Sequence, residues 1–192
     1  KKKDKVELGR GAMTDENIRL IEEEFPGMEV AVCANLPYYI TSPVIMRLLE
    51  ERLPVTSLTV MVQKEAAQRL CAAPGSREVG AVSIAVQYYS QPQVLFQVSR
   101  GSFMPSPDVD STVIRLDVRQ QPPVQLKKEE DFFRVVKAAF SQRRKTLPNT
   151  LSAGLAIPKQ QALDLLERAG VASNLRAEQL SMQQFADIAN AL

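Results

Sequence analysis

Apolar residues recur along this chain with two different periods, and the change from one to the other divides it. Ile18, Ile21 and Phe25 lie at near-helical spacing behind Thr14 and Asp15, and Pro26-Gly27 ends the predicted helix. Val30-Ala31-Val32-Cys33-Ala34 is a short continuous apolar run with the composition of a buried strand. A helix is predicted from about Thr41 to Arg52, carrying Val44, Ile45, Leu48 and Leu49 and closed by Pro54. Leu58–Val62 reads as a strand, and Lys64–Ala72 as a helix broken by Pro74-Gly75-Ser76. Residues 80–89 fit either period, but the spacing of Val82, Ala85, Val86 and Tyr89 favours a helix. Val94–Val98 and Thr112–Val118 are the next strands, and the second alternates apolar with polar as a half-exposed antiparallel strand does. Strands alternating with helices and ending in a hairpin predict an α/β layer with an antiparallel edge.

Beyond Gln120-Gln121-Pro122-Pro123 the pattern is helical throughout, so this proline pair is the predicted boundary. It separates residues 16–121 from residues 122–192. Glu129, Glu130 and Asp131 open the next helix, Phe132, Val135, Val136, Ala139 and Phe140 form its apolar stripe, and Arg143, Arg144 and Lys145 close it, in keeping with the helix dipole. Another helix starts at Pro158, carries Leu163 and Leu166 and ends at Gly170. Ser181 and Gln184 form a capping box ahead of Phe185, Ile188, Ala189 and Leu192. Residues 1–15, with four lysines and a Gly-Arg-Gly, show no apolar period. They read as a flexible or expression-derived end, with a basic arm touching RNA as the alternative.

Composition narrows the chemistry. The 192 residues are 45% hydrophobic and 24% charged, with a net charge of +2, so contact with nucleic acid has to come from local clusters of charge. The chain has no histidine, which excludes histidine-based triads and the usual histidine metal sites. Its two cysteines, Cys33 in a predicted strand and Cys71 in a predicted helix, read as small buried hydrophobes in a reducing, cytoplasmic setting. No apolar run approaches the roughly 20 residues of a membrane helix, so no membrane partner is expected.

The chemistry gathers at residues 35–43, Asn-Leu-Pro-Tyr-Tyr-Ile-Thr-Ser-Pro, where a strand ends and a helix begins. In open α/β sheets ligands bind at the carboxyl ends of strands. Asn35 offers a donor and an acceptor, Pro37 stiffens the turn, and Tyr38 supplies a flat face. An exocyclic base amine is a poor nucleophile because its lone pair is delocalised into the ring. Acceptors placed at its N–H groups favour the tetrahedral geometry that frees the lone pair. The side-chain oxygen of Asn35 and the backbone carbonyl of Leu36 suit that task, with Tyr38 stacking on the base at about 1–3 kcal/mol. No general base is needed. The same stretch also reads as an Asn-containing turn beside core aromatics, and Phe103 as core or as a second wall for the base. Arg143, Arg144 and Lys145 fit a solvated helix end or, through their affinity for phosphate oxygens, an RNA contact.

Three motifs, Asn-Leu-Pro-Tyr-Tyr-Ile at 35–40, Phe-x-Pro-x-Pro-x-Val-Asp-Ser at 103–111 and Phe-x-Gln-Arg-Arg-Lys-x-Leu-x-Asn at 140–149, together resemble the ribosomal RNA adenine dimethyltransferases of the KsgA type. The resemblance runs from about residue 16 to the end. It implies a Rossmann-like domain, a helical domain that docks on the small ribosomal subunit, and transfer of methyl groups from S-adenosylmethionine to N6 of two adjacent adenines in 16S rRNA. By matching position it makes Asn35, Leu36, Pro37 and Tyr38 the catalytic motif, with Asn35 also touching the cofactor, and Phe103 the aromatic across the base. The related 23S rRNA methyltransferases of macrolide resistance and a non-catalytic RNA-binding or ribosome-assembly module are the alternatives. Leu36 and the Gln-Arg-Arg-Lys run favour the KsgA type.

The departures from the family lie ahead of Val30. No glycine-rich loop follows a first strand, and no acidic residue ends a second or third strand to hold ribose or adenine. Roughly the first third of such a domain, ~80–100 residues on a usual domain scale, is expected to be absent. The expectation is a partial methyltransferase sheet that binds S-adenosylmethionine weakly or not at all, is inactive alone, and self-associates through an exposed sheet edge.

Overall fold

The computed structural model describes residues 15–192, so the reading of residues 1–15 as a flexible or basic end falls, but for Asp15, outside the described residues. The side chains of Ile18, Ile21 and Tyr38 fall outside them too. Helix α1 (Asp15–Glu24) ends at a turn where Gly27 takes a φ of 72°, in the left-handed region that glycine enters without a Cβ clash. Strand β1 (Ala31–Asn35) follows, starting one residue later than predicted and including Asn35. A single 3-10 turn over Tyr38–Ile40 then leads into α2 (Thr41–Glu50). Next come β2 (Ser57–Gln63), α3 (Lys64–Leu70), α4 (Ala81–Tyr89), β3 (Ser90–Val98) and β4 (Ser111–Val118).

The four strands form one sheet in the order β1-β2-β4-β3, parallel between β1 and β2 and antiparallel elsewhere. The predicted α/β layer with its antiparallel edge is therefore present, and residues 80–89 are the helix their spacing favoured. Strand β3 begins at Ser90 rather than Val94, and it accommodates Pro92 because an edge strand has one row of unpaired backbone groups. The apolar cluster under the sheet comprises Ile45 and Leu49 of α2, Leu58, Val60 and Val62 of β2, Leu70 of α3, Val86 of α4, and Ile114 and Leu116 of β4.

Two sequence expectations fail in this layer. Strand β1 is not buried: Ala31, Cys33 and Asn35 are exposed and only the intervening residues are half-covered. An apolar run declares that a strand can be covered on both faces, whereas coverage itself depends on neighbouring elements, and β1 pairs only with β2 among the described residues. Cys33 is accordingly exposed, and Cys71 is a half-buried residue just past the end of α3.

Four helices make up the rest: α5 (Glu129–Ala139), α6 (Leu147–Leu155), α7 (Lys159–Arg168) and α8 (Met182–Asn190). Ser181 caps α8 through Gln184 in the predicted reciprocal box. Helix α6 is absent from the periodicity, yet Leu147 and Leu151 are among the most buried side chains of the molecule. Helix α5 stops at Ala139, so Arg143, Arg144 and Lys145 do not close it; they stand in the turn between α5 and α6. Phe132, Val135, Leu147, Leu151, Leu165, Leu166, Phe185 and Ile188 build the second apolar cluster, which also takes in Ile84 and Tyr88 of α4. One helix thus contributes to both cores.

A candidate base-binding cleft and a basic turn

The sheet register explains how distant residues meet. Asn35 ends β1 opposite Met61 of β2, while Ser111, the first residue of β4, lies opposite both Gln63 at the end of β2 and Val98 at the end of β3. The loop after β1 and the long loop from β3 to β4 therefore leave the same edge of the sheet. There Asn35, Leu36, Pro37, Met61, Phe103, Pro105 and Pro107 line one cleft of about 330 Å³. Phe103 thus shares the cleft with Asn35, Leu36 and Pro37, although it lies 66 or more residues further along the chain. Met61, Pro105 and Pro107 complete the lining, and no local sequence signal assigns them to it. The prolines lie inside a motif, whereas Met61 reaches the cleft through its pairing with Asn35.

Local hydrogen bonds hold both walls. The carbonyl of Pro37 accepts from the Ile40 amide at 3.1 Å and from the Thr41 hydroxyl at 3.2 Å, which fixes the turn that aims residues 35–37. Across the cleft the Asp110 carboxylate accepts from the Arg100 amide at 2.9 Å, the Arg100 guanidinium donates to the Asp108 carbonyl at 3.2 Å, and the Ser106 hydroxyl donates to the Arg100 carbonyl at 2.9 Å. The Lys64 amide donates to the Asp110 carbonyl at 3.0 Å, tying this loop to the start of α3. Asn35 is exposed at the mouth and Phe103 is half-buried. Asn35 brings the one polar side chain among these residues, the remaining side chains are apolar, and none is charged. Such a lining suits a flat, neutral, hydrogen-bonding group and gives a phosphate no counter-charge.

The basic turn is a different kind of place. Arg143, Arg144 and Lys145 are all exposed, but they are not equivalent. The Arg143 guanidinium donates to the carbonyls of Arg77 at 2.9 Å and Val79 at 3.2 Å, fastening the α5–α6 turn to the segment ahead of α4. It also borders a larger cleft of about 930 Å³ with Arg69 and Arg77, where Glu65, Glu78 and Glu178 bring equal opposite charge. Arg69 and Arg77, apart in sequence, thus share this lining with Arg143. A balanced lining does not by itself attract a polyanion.

The groups whose titration the fold displaces stand away from the base-sized cleft. Burial raises the Cys71 thiol to about 11. Burial, then the hydrogen bond and the negative charge of Glu129, raise the Tyr88 phenol to about 12 against a smaller opposing effect of Arg52, and burial followed by the Glu129 charge raises Tyr89 further. Glu129 accepts from Tyr88 at 2.8 Å and Tyr89 at 3.2 Å and pairs with Arg52, joining the end of α2, α4 and the start of α5. No group of three or more His, Cys, Asp or Glu side chains that could hold a metal ion occurs among the described residues. S-adenosylmethionine would require donors or charges for its amino acid and ribose beside Asn35. Among the side chains lining this cleft, only the Asn35 amide could supply one.

The strand ends thus bring an Asn-Leu-Pro turn and an aromatic side chain to one cleft of an α/β sheet. Residues 8–192 match the ribosomal RNA adenine dimethylases, and the chain belongs to that family. It is 50% identical over 175 residues to the ribosomal RNA small subunit methyltransferase A of Alkaliphilus oremlandii, covering 91% of this chain and 61% of that protein. To its counterpart in Oceanobacillus iheyensis it is 48% identical over 175 residues, covering 90% and 60%. The crystal structure of a dimethyladenosine transferase from Plasmodium falciparum superposes with a TM-score of 0.72 at 26% identity, over 85% of this chain and 66% of that one. The four-stranded sheet accordingly belongs to a Rossmann-like methyltransferase fold. The chain spans about 60% of the length of the curated relatives it matches.

Proposed function

We propose that these residues form the target-base and RNA-docking part of an S-adenosylmethionine-dependent enzyme that dimethylates N6 of two adjacent adenines in 16S rRNA during small-subunit biogenesis in the cytoplasm. The single observation that carries this reading is the cleft joining Asn35, Leu36 and Pro37 to Phe103. An unstacked adenine enters with its face against Phe103 and Tyr38. Its amine donates to the Asn35 side-chain oxygen and the Leu36 carbonyl, which favours the pyramidal nitrogen with an available lone pair. Because acceptors rather than a base perform this work, the chain's lack of histidine is no obstacle. Arg144 and Lys145 contact RNA phosphates, and Arg143 holds the turn that presents them.

The 192 residues taken by themselves bind S-adenosylmethionine weakly or not at all and are inactive alone, which is supported by the absence of charged groups in the cleft lining. Micromolar binding in a calorimetric titration would overturn this. In a chain extended to the length of the relatives, Asn35→Ala should abolish methylation of small-subunit particles with little loss of docking. Methylation of large-subunit RNA in place of those particles would reassign the target, and undiminished activity of Asn35→Ala would remove the site.

A further inference from the structure

Two of the most exposed large hydrophobic side chains of the described residues stand beside the base-sized cleft. Tyr39 is 86% exposed two residues beyond the Pro37 wall, and Met104 is 99% exposed between Phe103 and Pro105 of the other wall. Neither packs into a core cluster. The fixed turn at Pro37, with its carbonyl holding Ile40 and Thr41, makes Tyr39 part of a short ordered turn. The hydrogen bonds of Arg100, Ser106 and Asp110 likewise order the segment that carries Met104.

An exposed aromatic and an exposed thioether on ordered backbone, flanking an uncharged cleft, match the requirements of a second base. Extruding one nucleotide from single-stranded RNA unstacks its neighbour, and that neighbour then needs a new apolar face. Aromatic rings supply such faces for any base, and a methionine side chain adapts to their edges. We infer that Tyr39 and Met104 form a rim clamp that stacks the nucleobase adjoining the one held in the cleft. The two residues are positioning residues for the RNA and take no part in methyl transfer. This inference rests on the cleft being an RNA base site, as proposed above.

The chain has no tryptophan, so Tyr39→Trp introduces a single reporter at the rim. The partner in the test is an end-labelled RNA hairpin with two adjacent unpaired adenines in its loop, compared with the same hairpin made abasic at the second adenine. Binding is followed by anisotropy of the RNA label and, separately, by the indole emission of the variant. The clamp predicts quenching of that emission by the intact hairpin and not by the abasic one. It also predicts about tenfold weaker binding for Tyr39→Ala and about threefold for Met104→Ala with intact RNA, and no loss with abasic RNA. Equal losses on both RNAs, or wild-type affinity in both variants, would overturn the clamp while leaving the RNA reading of the cleft intact. If the unaltered chain binds the hairpin no better than an RNA duplex without unpaired bases, the base-site reading falls and the clamp falls with it.

Discussion

Asn35 ends a strand and lines the cleft at the same time, and the strand end is the part of that double position that is legible in the sequence. A polar amide after an apolar run, followed by Pro37, marks a strand end wherever it occurs. The cysteines depart from the expectation of burial, because residue type does not set environment. Cys33 is exposed while Cys71 is half-buried with its thiol raised to about 11, so at pH 8 a thiol reagent should label Cys33 at least about tenfold faster than Cys71. Mass spectrometry of timed samples measures this, and equal rates would contradict the exposed β1 face. Tyr88 and Tyr89 supply a pH dependence. Their phenols ionise at higher pH in the folded chain than the usual value near 10, so the stability they contribute is complete below about pH 10 and is lost as pH rises through about 12. Urea midpoints taken from pH 8 to 12 should fall over that window, and the fall should be shallower in Tyr88→Phe.

Helix α6 shows why an element can be present without a legible period. Its nine residues include Asn149 and Gly154, which weaken a helix, and Thr146 at its N-cap makes no side-chain capping bond. Tertiary packing supplies what propensity lacks. Gly154 lies so close to α5 that a Cβ there would stand 2.5 Å from the Ala138 Cα, a contact only glycine permits. Gly154→Ala should therefore destabilise the chain by about 1–3 kcal/mol despite alanine's higher helix propensity, a reversal that urea denaturation would detect. The basic turn teaches the same lesson about α5. Three consecutive cations read as a helix end, but only the fold shows Arg143 bonded to the carbonyls of Arg77 and Val79. Arg143→Ala should lower the urea midpoint, whereas Arg144→Ala should leave it unchanged and reduce the slope of log RNA affinity against log salt by about 1. Identical behaviour of the two variants would erase the distinction.

At the scale of the whole molecule, α4 places Val86 in one apolar cluster and Ile84 and Tyr88 in the other, and Glu129 ties Tyr88, Tyr89 and Arg52 across the same junction. Elements that share a buried helix should lose structure together. Helical ellipticity, to which α5 to α8 and the helices of the sheet layer contribute about equally, and exposure of Cys71, which packs against the sheet cluster, should follow one urea transition. Separate midpoints would mean that the helical part melts on its own. The sequence by itself determined the order and kind of most elements, the change from alternating to helical period, and the three motifs that mark the family, because periodicity, turn residues and short motifs are local properties of a chain. Tertiary structure alone decided that Phe103 and Met61 share a cleft with Asn35, that Arg143 is a tie, and that Cys33 lies open. Each of these depends on strand register or on which elements are neighbours, and residues far apart in the chain carry no local record of it.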